Sequence, residues 1–276
     1  MKKILLMTMA LWLSMSANAQ NSIRLIRNAT LRISYAGKVI LVDPMLGEKG
    51  TEFSVMKVNN NPRVNLVMPV SEILDGVDFT LLTHTHFDHY DSVAIHTISK
   101  DMRWYIQPED EDVVVRRDGF RKAVPVTDSV TTDGITIIRI RRHHGRGKVA
   151  EKFGPSSGYV LKAKGHPTVY VMGDCVWETE TQQAVSQHHP DYIVMNTGGN
   201  IVLPLSQTDG PLIMDEIEAV GLIKECTETT RFIAVHMDAV DHCQTSRSIL
   251  RNQAERDHID MKRLHIPEDG ETITLR

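Results

Sequence analysis

Cysteine is scarce in this chain. There are three in 276 residues, Cys175, Cys226 and Cys243, and no two form a CxxC pair. A zinc knuckle and a thioredoxin-type redox motif are therefore excluded. Three thiols allow one disulfide at most, and free buried thiols are the expected state. Long basic tracts are also missing, since Arg139-Ile140-Arg141-Arg142 is short. The net charge is −4, and loss of Lys2 and Lys3 from the N-terminus would take it to −6. That balance argues against nucleic acid as the main partner. No repeat or low-complexity linker divides the chain.

No apolar run reaches the roughly 20 residues of a membrane-spanning helix. A shorter one, Ile4 to about Met15, follows Met1-Lys2-Lys3 and precedes Ala17-Asn18-Ala19. A positive start, an apolar stretch and a small-x-small site predict a secretory signal peptide over residues 1–19, cut before Gln20. No cysteine follows the run, so a lipid anchor is not indicated. The expectation is a periplasmic or secreted protein with no stable membrane anchor after cleavage. Residues 20–276 suffice for one large domain with a sizeable core.

Along that stretch the pattern is strands first, then strands alternating with helices. Arg24–Arg27, Thr30–Tyr35 and Val39–Val42 read as strands, with a turn at Ala36-Gly37. Strands are also expected at Phe79–Thr83, Trp104–Ile106, Ile135–Ile140, Tyr159–Leu161, Thr168–Met172, Tyr192–Met195 and Phe232–Val235. Helices are expected at Asp91–Ser99, Glu109–Arg117, Glu178–Gln187, Ile213–Cys226 and Thr245–Arg256. Asn59–Arg63 reads as a surface loop. This order predicts a layered α/β fold with sheets inside and helices outside.

The chemistry concentrates in Leu81-Leu82-Thr83-His84-Thr85-His86-Phe87-Asp88-His89. Three histidines and one aspartate fall within six positions, directly after an apolar strand. In extended chain His84, His86 and Asp88 share a face, and His89 joins them only if the backbone bends. Imidazole and carboxylate suit zinc, and also manganese or iron. A solvated polar loop is the bland alternative, but four potential ligands packed so tightly at a strand end favour a metal site.

The segment resembles the HxHxDH motif of the metallo-β-lactamase superfamily, and further landmarks follow in that family's order. Val39-Ile40-Leu41-Val42-Asp43-Pro44 resembles its early strand ending in aspartate. His143-His144-Gly145 stands where a third histidine is expected, Val171-Met172-Gly173-Asp174 resembles its strand–Gly–Asp motif, and Phe232-Ile233-Ala234-Val235-His236 its final strand ending in histidine. Each later motif is weak alone, and their order makes the set strong. The details look closest to the ascorbate-6-phosphate lactonase-like branch.

The resemblance implies a four-layer αββα sandwich holding two divalent metal ions, most readily zinc. By position, His84, His86 and His144 would bind the first ion, Asp88, His89 and His236 the second, and Asp174 both. Asp43 would orient a ligand or the loop. His144 is preferred to His143 because it directly precedes Gly145-Arg146-Gly147. His242 has two readings, a lining of the substrate pocket or a residue of an ordinary loop, and Cys175 is read as packing. The implied function is a hydrolase of small molecules, in which a hydroxide shared by the two ions attacks a lactone, amide or phosphoester. Asp88 or the second ion would assist the leaving group. Asn59–Val70, Asn196–Gly210 and Trp177 are candidate walls for the substrate.

Other readings are a mononuclear iron dioxygenase of the same fold and a non-catalytic metal-binding protein. Flavodiiron relatives carry glutamate where this chain has His86, which disfavours them. An RNA-processing nuclease is disfavoured by the acidic chain and the absence of an inserted RNA-binding module.

Overall fold

Three antiparallel strands open the fold: β1 (Ser22–Arg27), β2 (Thr30–Tyr35) and β3 (Lys38–Val42). Ala36 and Gly37 join the last two with φ of 50° and 78°, the left-handed turn geometry that matches strand twist. This is a computed structural model describing residues 20–276, and the expected signal peptide, residues 1–19, lies outside the described residues.

The chain then adds β4 (Phe79–Leu81), β5 (Arg103–Ile106) and β6 (Lys122–Pro125), each parallel to its neighbour. Parallel neighbours need crossovers, supplied by α1 (Val70–Leu74), α2 (Ser92–Thr97) and two short helical turns at Pro108–Asp110 and Asp112–Arg117. A second sheet follows. Its strands β7 (Ser129–Thr132), β8 (Ile135–His143) and β9 (Pro155–Ala163) are antiparallel. With α3 (Gly147–Phe153) between β8 and β9, the chain continues to β10 (Val169–Val171), antiparallel to β9. Next come α4 (Thr179–His188), β11 (Tyr192–Asn196), α5 (Ser206–Asp209), α6 (Glu216–Glu225), β12 (Arg231–Val235), α7 (Arg247–Arg256) and β13 (Leu264–His265). Strands β10 to β13 run parallel. Finally β14 (Thr272–Thr274) returns to pair with β1. The two sheets have the orders β14-β1-β2-β3-β4-β5-β6 and β13-β12-β11-β10-β9-β8-β7.

Alternation along the strands builds the layers. In β12, Ile233 and Val235 face the inter-sheet core while Phe232 and Ala234 face the helices. The inter-sheet core joins Ile33, Val42, Phe79 and Leu81 to Ile137, Leu161, Val194 and Ile233. Helices α4, α6 and α7 cover the outer face of the second sheet, and α1 and α2 cover the first. Each such buried side chain contributes roughly 1.5–3 kcal/mol, so the four layers are held mainly by apolar burial. The expected αββα sandwich is the observed architecture.

Some elements differ from expectation. Glu109–Arg117 is two pieces rather than one helix. Pro108 starts the first, and the run Val113-Val114-Val115 crowds an α-helix enough that the second has a widened, π-type turn. Helix α6 starts at Glu216, because the Asp215 carboxylate accepts from Ile217 and Glu218 N–H and fixes the start there. Strands β6 and β7 show no apolar alternation, their residues being only exposed or half-buried. The expected loop Asn59–Arg63 is irregular and exposed at Asn59, Asn60 and Arg63, but Asn61 within it is fully buried.

Candidate metal centre

The expected ligands are delivered by strand ends. Strand β3 runs into Asp43, β4 into His84, β8 into His144, β10 into Asp174 and β12 into His236. These strands point the same way, so their ends share one edge of the sandwich. Asp43 and His236 take left-handed φ values of 45° and 64°, which are unfavourable for residues with a Cβ. The chain therefore turns sharply at both and aims the side chains back at the sheet edge. Gly173 is required for the same reason. With φ of 67°, a Cβ there would lie 2.4 Å from the Ser157 carbonyl oxygen.

After β4 the chain bends as the parity of His89 demands. His89 and Tyr90 N–H both bond to the His86 carbonyl, at 3.0 and 2.9 Å. The bend divides the motif between two groups. His84 and His86 meet His144, and Asp88 and His89 meet His236; within each group the potential ligand atoms lie within 4.8 Å of one another. Asp174 lies between them. Its Oδ2 is 3.9 Å from His84 Nε2 and 3.6 Å from His144 Nε2, and its Oδ1 is 3.2 Å from His89 Nε2 and 3.8 Å from His236 Nε2. All seven side chains named from the sequence thus converge. Six are buried, and His86 alone is half-exposed.

The hydrogen-bond pattern suits cations. His144 Nδ1 donates to the Gly154 carbonyl at 3.1 Å. Thr83 Oγ1 donates to Asp43 Oδ2 at 2.7 Å and so accepts from His84 Nδ1 at 3.0 Å. The Nε2 atoms of His84 and His144 are then both lone pairs, facing each other at 3.2 Å. His89 Nδ1 donates to Asp43 at 2.8 Å, and its Nε2 faces that of His236 at 3.1 Å. Opposed lone pairs like those of His84 and His144 repel unless a positive charge sits beside them. A hydrogen bond from the far ring nitrogen is the usual support for a metal-binding histidine.

Charge follows the same division. Burial, with neighbouring imidazoles, holds His84 well below its ordinary value and His86 down to about 4, so both are neutral. Burial opposes charge on His89 too, but Asp174, Asp43 and Asp88 outweigh it and push it up to about 10. His236 is raised by Asp174 and Asp88 against the same burial. In turn His89 and His236 hold the Asp88 and Asp174 carboxyls below the carboxylate range despite their burial. Two acids thus neutralise one half of the site, and in the other half His84 and His86 are neutral.

Several neighbours resolve open points. His143 Nε2 turns away to Glu178, at 3.3 Å, so His144 is the member of the pair in the cluster. His242 is buried with Nε2 3.9 Å from Asp88 Oδ2, which places it at the site. Cys175 is buried in the layer under the helices, and all three cysteines are free. Trp177 instead lines a separate groove with Gln182, His189 and Thr230, a correction to its expected place at the site. Of the expected walls, Asn196–Gly210 does reach the centre: Asn196 Nδ2 donates to Asp174 Oδ1 at 2.6 Å, and Ile201 N–H to the His242 carbonyl at 3.0 Å. Residues 65–70 line a shallow groove with Leu46 and Lys49, and the nearby wall is formed earlier, at Phe53.

Three residues at the site escaped the sequence reading, and a fourth, Asn196, was expected only as part of a wall. Asn28 donates to the Asp88 carbonyl at 3.1 Å, and Thr83 links Asp43 to His84. Asn196 holds Asp174, and Cys243 Sγ lies 3.8 Å from His236 Nδ1. None stands in a ligand-like pattern. Only Thr83 gave a cue, by adjoining His84.

The family model described as "Beta-lactamase superfamily domain" matches residues 22–229. The chain belongs to that superfamily. Its relatives include the UPF0173 protein YddR of Bacillus subtilis, 35% identical over 91% of this chain and 98% of that protein. A solved structure of a possible metal-dependent hydrolase from Veillonella parvula superposes with a TM-score of 0.88 at 30% identity, covering 93% of this chain and all of the other. An isothiocyanate hydrolase from Delia radicum gut bacteria gives a TM-score of 0.83 at 33% identity, covering 92% of this chain and 98% of that one. As a superfamily member with such relatives, this protein is a metal-dependent hydrolase.

Proposed function

We propose that the seven side chains hold two divalent metal ions and hydrolyse a small carbon electrophile, isothiocyanates foremost. His84, His86 and His144 would hold one ion, Asp88, His89 and His236 the other, with one Asp174 oxygen for each. Histidine and carboxylate donors suit zinc best, and manganese or iron acceptably. When bound, such ions supply Lewis acidity and ionise water near neutral pH. The chain's own residues do the rest. Asp43 and Thr83 fix the imidazoles, and Asn196 fixes Asp174. Asp88 and His242 lie together at the centre and can move a proton between attacking water and leaving nitrogen.

The likeness to the isothiocyanate hydrolase over nearly the whole of both chains carries the choice of substrate. Lactones and amides call on similar chemistry. Water and R–N=C=S give R–NH2 and carbonyl sulfide. The test is amine release from 2-phenylethyl isothiocyanate by zinc-loaded protein. Release abolished by chelation and restored by metal supports the reading, and no release above the uncatalysed rate refutes it.

A further inference from the structure

The protein has six phenylalanines, and three are core residues: Phe79, Phe120 and Phe232. The other three flank the metal centre. Phe87 lies inside the histidine motif, with its ring 6.2 Å from that of His242. Phe53 packs on Phe87 with ring centroids 4.6 Å apart. Phe153, at the end of α3, approaches from the other side, 6.2 Å from His86 and 6.4 Å from His144. His86 is the one ligand of the seven that is not fully buried; Phe153 adjoins it, and Phe87 adjoins His242 on the other half of the centre.

Phe53 is 60% exposed, and a phenyl ring left in water adds little to folding. Yet its loop is firmly held. The Asp241 carboxylate accepts from Ser54 Oγ and from the N–H groups of Val55 and Met56, at 3.2 and 3.0 Å for the last two. Asn61 Nδ2 binds both that carboxylate and the Phe53 carbonyl, at 3.0 and 2.9 Å. Glu52 and Asn61 also bond backbone to backbone in both directions, at 2.6 and 2.9 Å. Asp241 precedes His242, so the clamp fixes Phe53 relative to the reacting centre itself.

From this arrangement we infer that Phe53, Phe87 and Phe153 form a subsite for an apolar, preferably aromatic, substituent on the substrate. The inference rests on the proposed hydrolytic centre and specifies what the substrate carries beyond its reacting group. A ring seated there covers the exposed faces of Phe53 and Phe153 and removes its own apolar surface from water. A methyl group is too small to touch both sides.

The experiment compares 2-phenylethyl with methyl isothiocyanate in the wild type and in Phe53→Ala. Removal of the ring is expected to lower kcat/KM for the phenyl substrate about tenfold, mainly through KM, and at least about fivefold more than for the methyl substrate. A binding measurement independent of turnover accompanies it: calorimetric titration of the zinc-loaded protein with 2-phenylethanethiol and with ethanethiol. The wild type is expected to prefer the phenyl thiol about tenfold, and Phe53→Ala to lose that preference. Equal losses for both substrates, or an intact phenyl preference in the variant, overturn the subsite. A wild type that hydrolyses neither isothiocyanate but keeps a Phe53-dependent preference for the phenyl thiol supports the subsite and refutes the isothiocyanate reading.

Discussion

The Asp43 carboxylate accepts from His89 Nδ1 at 2.8 Å, and through Thr83 the same oxygen also orients His84. One buried carboxylate therefore sets an imidazole in each half of the centre. Asp43→Ala is expected to weaken metal binding by about 10–100-fold. Competition with a chromophoric chelator measures this, and unchanged affinity would refute the role.

His86→Ala and Asp88→Ala are each expected to abolish turnover while the protein stays folded. His86 is half-buried and lies outside the apolar core clusters, so its removal opens no void within them. Metal content should fall in both. The metal-free variants should melt within about 4 °C of the metal-free wild type, equivalent to about 1 kcal/mol or a little more in a chain of this size. Full activity in both would remove the functional assignment.

Burial pushes the Asp110 carboxyl up to about 6, although Thr85 and Gln107 donate to it at 2.9 Å each. The ordinary aspartate value is 3.8, so between these limits the folded protein binds a proton that the unfolded chain releases. This group's contribution is then fully present below pH 3.8 and is lost as pH rises through 6. Asp110→Asn removes the buried charge, and the Thr85 hydroxyl can turn to accept from the new amide. The variant is expected to gain on the order of 2 kcal/mol at pH 8 relative to pH 4.5, read as a difference in melting shift between the two pH values. An equal shift at both would contradict it.

Cys243 Sγ donates to Asn200 Oδ1 at 3.0 Å and faces His236 Nδ1 at 3.8 Å. Cys243→Ala removes the partner of a buried ring N–H. It is expected to weaken one of the two metal-binding steps about tenfold, with Cys243→Ser recovering most of the loss. Stepwise titration with zinc separates the steps, and an unchanged pair of affinities would count against the contact.

Export is proposed from residues 1–19. Expressed in a bacterium with a periplasm, the full chain should appear there with Gln20 as its first residue. Terminal sequencing of that fraction checks it, and an intact N-terminus in the cytosol would contradict it.

The architecture was largely legible because its central strands are apolar and its helices periodic. The ligands were legible for a related reason: His84, Asp174 and His236 lie at or just past the ends of buried strands, where a polar side chain is conspicuous. The choice between His143 and His144 needed the structure, since adjacent residues point apart and sequence does not show where β8 stops. Strands β6, β7, β13 and β14 were missed, because short edge strands carry little apolar alternation. Phe53, Asp241 and Cys243 acquire meaning only from what folds against them, so no local pattern marks them.

The pairing of β14 with β1 has a consequence for how the molecule is made. Thr272–Thr274 lie far along the chain from Ser22–Arg27, yet the two strands pair. Contacts between residues so distant in sequence are slow to form. Folding of the first sheet therefore waits on a segment that follows the whole of the second, and the two sheets are laced together by one returning strand.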